Sequence, residues 1–195
     1  FYQFDFWVDR LHDWVPYGAC DPSMGKTEKS DPSAILVGFY SKDLQKLHVE
    51  YESRKVRGTS RLLNDIIRAQ KEFNCLVWGF ENNNAFDFMR SEFITKGLEQ
   101  GIALPLRGVT ATLPAEERIG SLETYVTNTP AQIAFHSRCR LLLDELENWP
   151  EKQTTHHYDL SCALAILWMI ASTGAGGMPR VRSRKVTKQI GGYHV

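Results

Sequence analysis

The sequence has no C-x-x-C pair, no apolar run long enough to span a bilayer, no complete phosphate-binding loop and no net charge. Each absence excludes something. Cys20, Cys75, Cys139 and Cys162 are scattered, which rules out the common zinc and dithiol frameworks and predicts reduced, mostly buried thiols in a cytosolic protein. The longest apolar run, 162–171, is far too short for a transmembrane helix. The first residues, FYQFDFWVDRLHDWV, carry acids among their aromatics, so they are no signal peptide, and the missing initiator Met predicts a piece of a longer polypeptide. Lys+Arg and Asp+Glu are equal at 23 each, so no global field selects a polyanion. Locally the balance breaks. No acid follows Asp159, and the end of the chain holds Arg180, Arg182, Arg184, Lys185 and Lys188. A second basic run contains Arg54, Lys55, Arg57 and Arg61. Such runs are solvated faces or contacts to a nucleic-acid backbone.

Gly25-Lys26-Thr27 has the ending of a nucleotide-binding loop but not its beginning. The loop needs a glycine five residues before Gly25, where its backbone curls around phosphate, and Cys20 stands there. Asp21 would also repel the phosphates. Lys26 and Lys29, in the turn that follows Asp21, remain as solvated side chains or as contacts to a DNA phosphate.

At 195 residues, 43% hydrophobic and 24% charged, the chain suits one well-packed domain. Residues 1–13 read as a linker remnant or a short amphipathic helix. A strand is expected over 14–21, with Pro16 marking an edge position or a strand start. Another follows over 34–41. A third, 46–53, alternates Leu47, Val49 and Tyr51 with polar residues, and Lys42-Asp43 makes the hairpin turn between them. Residues 59–73 form a helix, and 75–81 a central strand covered on both faces. A helix over 84–99 turns Phe86, Met89, Phe93 and Leu98 inward, capped by Asn83 or Asn84. A strand or hairpin arm covers 102–112, and a helix begins within 114–126 behind Pro114. A strand at 131–136, a helix at 137–149 and an apolar helix at 158–172 complete the order, before a flexible basic tail over 174–195. This is an α/β domain whose mixed sheet carries helices on both faces.

Three acids fall where such a sheet gathers side chains. Asp21 ends the first strand, Glu81 ends the strand over 75–81, and Asp159 begins the last helix. Converging carboxylates repel one another unless cations bind between them, and hard oxygen donors select Mg²⁺ or Mn²⁺. Each acid also has a plainer reading: Asp21 as a turn opener before proline, Glu81 as a solvated strand end, Asp159 as an N-cap. Their order in the chain, with His156 three residues before Asp159, favours the metal reading. His157 invites zinc, but no cysteine lies near enough in sequence to complete a set.

The stretches DPSMGKTEKSDPSAILVGFY, CLVWGFENNNA and HHYDLSCALAI resemble the three acidic motifs of the C-terminal nuclease domain of the tailed-phage terminase large subunit. AEERIGSLETYVTNTPAQIAFH and LLLDELENWP resemble that family's link between its second and third motifs, an Arg-Ile helix, a strand and an LxxEL helix. The resemblance covers about residues 14–173. It implies a ribonuclease H-like fold and cleavage of double-stranded DNA concatemers during viral genome packaging, with two Mg²⁺ or Mn²⁺ ions. On the matching positions, Asp21 would bridge both ions, Glu81 and Asp159 would hold one each, His156 would be accessory and Asp31 a further possible ligand. Arg54, Lys55, Arg57, Lys26 and Lys29 would meet DNA. Implied partners are an upstream ATPase motor domain of the same polypeptide, a portal and a small terminase subunit, in the cytoplasm of an infected bacterium and away from membranes. Tyr158 and Cys162 stand where many relatives have acids, so the second ion's place is less acidic here. The rival readings are a non-catalytic DNA-gripping or portal-docking module, or a resolvase- or transposase-type nuclease core.

One expectation needs only the failed phosphate loop. Calorimetry should detect no saturable ATP binding; binding that disappears in Lys26→Ala would reinstate the loop.

Overall fold

Ser33–Ser41 is buried at all nine positions, which in a pleated strand demands a covering layer on each face. The computed structural model supplies both layers. It describes residues 1, 3–4, 13–23, 32–82, 84–110, 112–149 and 158–174. The elements are β1 (Gln3–Phe4), β2 (Trp14–Asp21), β3 (Ser33–Ser41), β4 (Lys46–Lys55), α1 (Thr59–Phe73), β5 (Trp78–Glu81), α2 (Asn84–Glu99), β6 (Leu106–Val109), α3 (Ala115–Gly120), α4 (Glu123–Thr127), β7 (Ile133–His136), α5 (Arg140–Glu147) and α6 (Asp159–Ser172).

Among the described residues the strands form one mixed sheet in the order β1-β7-β4-β3-β2-β5-β6. β2, β3 and β4 are an antiparallel meander, whereas β5 and β6 extend from β2, and β7 from β4, by parallel pairing. On one face Ala19, Ala34, Leu36, Leu47 and Val49 meet α6 and residues of α4 and α5. On the other, Cys20, Ile35, Val37 and Phe39 meet α1 and α2. The α/β architecture, a mixed sheet between helical layers, is thus what the strand and helix order predicts, and it agrees with the ribonuclease H-like fold that the resemblance implies.

Several local expectations differ. β2 is interior to the sheet, and Pro16 lies at its start, before pairing with β5 begins at Gly18 opposite Trp78. β4 does not alternate evenly, because the register slips between Val37 and Gly38: Val37 faces Tyr51 and Gly38 faces Val49. The bulge at Glu50 reverses the side-chain parity, so Leu47 and Val49 face α6 while Tyr51 packs on the α1 side. In α2, Phe86, Met89 and Phe93 are buried, but Leu98 is exposed. Gly97 takes the inward position instead, where a Cβ would stand 2.8 Å from the Ile102 carbonyl oxygen. The helix expected within 114–126 is two short ones; Ser121 Oγ donates to the Arg118 carbonyl at 2.7 Å, a side-chain competitor that marks the break. Gln3 and Phe4 add parallel to β7 at the sheet edge. Residues 5–12, and the tail from 175, lie outside the described residues, as does Asn83.

β5 is anchored by a polar contact inside the apolar layer. Trp78 Nε1 donates to Gln70 Oε1 at 2.7 Å, and Gln70 Nε2 donates to the Cys75 carbonyl. Trp78 is core, as its place in a covered strand suggests, and its ring lies flat against Gly18, where a Cβ would approach to 2.4 Å. Gly18→Val should therefore lower unfolding stability by about 2–3 kcal/mol in urea titration; an unchanged midpoint would show that the Trp78 ring can move aside.

Candidate active site

β2 and β5 run parallel in register, Cys20 opposite Phe80, and each strand ends one residue later on an acid, Asp21 and Glu81. Asp159 is the first residue of α6, which packs across β2, β3 and β5. Burial pushes the Asp21 carboxyl up to about 7, and the charges of Asp159 and then Glu81 push it the same way. The Arg118 guanidinium and a hydrogen bond from the Cys162 thiol pull it down. The three acids singled out in the sequence therefore share one electrostatic neighbourhood at one end of the sheet.

Two further side chains shape that neighbourhood. Arg118, on α3, donates from Nη2 to Glu81 Oε2 at 3.2 Å. Glu145, on α5, is buried, and burial raises its pKa. It accepts from the backbone N–H of Ser161 at 2.8 Å and of Leu160 at 3.4 Å, and from Ser161 Oγ at 3.1 Å. A carboxylate at the positive end of a helix answers N–H groups that have no partner within the helix. The cap of α6 is thus Glu145, and the reading of Asp159 as a simple N-cap does not hold. Glu52 on β4 does the same for α5, accepting from Leu141 N–H at 2.9 Å and Leu142 N–H at 2.8 Å. Arg118 and Glu145 stood within the Arg-Ile and LxxEL motifs, but nothing in the sequence gave them partners so distant in the chain.

The candidate DNA contacts divide. Arg57 is a correction: it is buried, bonded to Asp65 Oδ2 at 2.7 Å, Ser53 Oγ at 3.0 Å and the Ser33 carbonyl at 2.9 Å. It ties β3 and β4 to α1 and has no face for a phosphate. Arg54 donates to Glu145 Oε1 at 2.6 Å, so it completes the α6 cap instead of standing free as a DNA contact. Lys55 is exposed. Pairing of Asp21 with Ala34 and of Ala34 with Arg54 puts Lys55 at the same end of the sheet as Asp21. Lys26, Lys29, Asp31, His156 and His157 lie outside the described residues. Tyr158 turns to the end of α5, donating from its hydroxyl to the Asn148 carbonyl at 3.2 Å. Cys20, Cys75 and Cys139 are buried, Cys162 half-buried, and burial raises the pKa of each, so all four are neutral thiols.

Among the described residues no three His, Cys, Asp or Glu side chains stand as a finished metal-holding group. The donors nevertheless fit a hard divalent cation: three carboxylates on rigid element ends, one of them pushed toward protonation by burial and then by its acidic neighbours. No helix among the described residues is long and apolar enough to cross a membrane.

No family model and no curated protein matches the sequence. Solved structures do match the fold. The nuclease domain of the phage P22 large terminase superposes with a TM-score of 0.57 at 12% identity, over 87% of this chain and 85% of that one. The human cytomegalovirus terminase nuclease domain gives 0.58 at 10% identity, over 81% and 85%. The large-terminase nuclease domain of bacteriophage SPP1, solved with bound Mn, gives 0.53 at 16% identity, over 83% and 88%. The chain has the fold of the terminase large-subunit nuclease domains.

Two outcomes follow from the charges. Because the folded pKa of Asp21 lies near 7, above its ordinary 3.8, the metal-free folded state binds the extra proton. Its stability should fall as pH rises through that window. Asp21→Asn in EDTA should melt above the parent at pH 8, by about 1–4 kcal/mol, and converge with it near pH 4. An equal melting point at pH 8 would place Asp21 outside the cluster. Glu145→Ala should cost about 2–4 kcal/mol, since it strips the α6 cap and leaves Arg54 without its carboxylate; a loss under 1 kcal/mol in urea would refute the cap.

Proposed function

We propose that this chain is a metal-dependent nuclease that cleaves double-stranded DNA with little sequence preference, and that it serves viral genome packaging. The observation that carries the reading is the convergence of Asp21, Glu81 and Asp159, from β2, β5 and α6, on one end of a ribonuclease H-like sheet. Fold counterparts that are terminase nuclease domains, one solved with Mn, support it.

Asp21 feels the charges of both other acids and, together with Glu81 and Asp159, would hold two Mg²⁺ or Mn²⁺ ions. His156 and Asp31 would be accessory ligands. Such a pair of ions supplies Lewis acidity at the attacking and leaving oxygens of a phosphodiester. The protein's part is placement. Glu145 fixes the start of α6 and hence Asp159, while the β2–β5 register fixes Asp21 beside Glu81. Lys55, with Lys26 and Lys29, would grip phosphates, which positions DNA without reading its sequence and makes binding salt-sensitive. The packaging role brings with it an upstream ATPase motor domain, a portal, a small terminase subunit and the cytoplasm of an infected bacterium as the setting.

The domain should nick or linearise plasmid DNA with Mn²⁺ or Mg²⁺ and not with EDTA, and Asp21→Asn should lower the rate by at least about a hundredfold. Binding of DNA without cleavage under both metals, at low salt, would make the chain a gripping or docking module instead.

A further inference from the structure

Among the described residues, Arg118 is the one charged side chain of the site that the proposed mechanism leaves without a role. Its side chain is 10% exposed and that of Glu81 27%, so the pair is partly withdrawn from water and its attraction is weakly screened. Nη2 reaches Glu81 Oε2, whereas Nε is buried without a hydrogen-bond partner. The guanidinium is therefore held by charge at one end and not by the two-pronged bonding that makes an arginine–carboxylate pair rigid. It also lies close enough to Asp21 and Cys162 to lower the pKa of both.

Charge counting gives this placement a consequence. With Asp21, Glu81 and Asp159 ionised and Arg118 among them, the cluster carries two net negative charges, which one divalent ion neutralises. Among the described residues a second ion meets no further negative charge unless the guanidinium leaves. Cys162, one helical turn beyond Asp159, offers a neutral thiol rather than another carboxylate.

Resting on the metal reading above, we propose that Arg118 is a built-in cation on the Glu81 side of the site, so that the free protein takes one divalent ion tightly and a second only by displacing Arg118. The contact to Glu81 then sets how much metal the site needs before both ions are in place. Arg118 is a positioning residue in this scheme: it acts through the carboxylate it holds.

Mn²⁺ calorimetry on the DNA-free protein tests this without any measure of cleavage. The parent should show one tight and one weak step. Arg118→Gln should tighten the weak step about tenfold, and Arg118→Lys should keep the parent's pattern. Unchanged binding in Arg118→Gln, or two equal steps in the parent, would overturn the role given to Arg118 and leave the metal reading standing. No Mn²⁺ uptake by the parent would instead remove the metal reading, and this inference with it. If Arg118→Gln fails to fold, the Arg118 Nε–H resonance can be followed in the parent during Mg²⁺ titration, assigned through Arg118→Lys. It should shift with the second step; a resonance that stays fixed through saturation would refute displacement.

Discussion

The helix that carries Asp159 starts on a carboxylate belonging to another helix. Glu145 accepts the first N–H groups of α6, and Arg54 from β4 holds Glu145 in turn. A step earlier, Glu52 of the same strand accepts the first N–H groups of α5. The starts of both helices are thereby referred to one strand of the central meander. A buried carboxylate costs free energy unless its lone pairs are answered, and here N–H groups, a hydroxyl and a guanidinium answer it. The arrangement leaves Asp159 to point elsewhere, because its helix does not need it as a cap.

That division between structural and spare carboxylates separates the site from the scaffold. Glu52 and Glu145 have their charge met by donors from helix starts and from Arg54. Asp21 is half-buried with two other acids acting on it and only Arg118 and the Cys162 thiol opposing them, and its pKa near 7 records burial first and those charges second. A fold that satisfies its remote acids and leaves this one strained keeps an electrostatic debt at the ends of β2 and β5, where strand ends can admit a substrate.

Much of this was legible from periodicity. The apolar runs of β3 and α6, the helical spacing of Leu62, Leu63, Ile66 and Ile67, and the acids at three element ends led to the sheet, its layers and the carboxylate cluster. What was not legible depended on contacts between distant residues. Tyr51 reads as a neighbour of Val49 on one face, and only the bulge opposite Gly38 sends it to the other. Arg57 reads as one more surface cation until Asp65 and the Ser33 carbonyl surround it. Arg118 and Glu145 belong to recognisable stretches, but their partners lie 37 and 91 positions away, a separation no local pattern encodes. Leu98 misled for a smaller reason: a helix turns by 100° per residue, and Gly97 had already taken the inward direction.

The cap on α6 also bears on how the chain could change over time. Glu145 answers the first N–H groups of α6 and the Tyr158 hydroxyl is tied to the Asn148 carbonyl, so the start of α6 is held by partners that precede the connection leading to it. Lengthening a connection whose ends are already held costs little, about 0.6 kcal/mol for each doubling. New sequence inserted ahead of His156 therefore need not move Asp159. A lineage built on this frame can therefore acquire new contacts to substrate or partner in that connection while the acid at the head of α6 stays where it is.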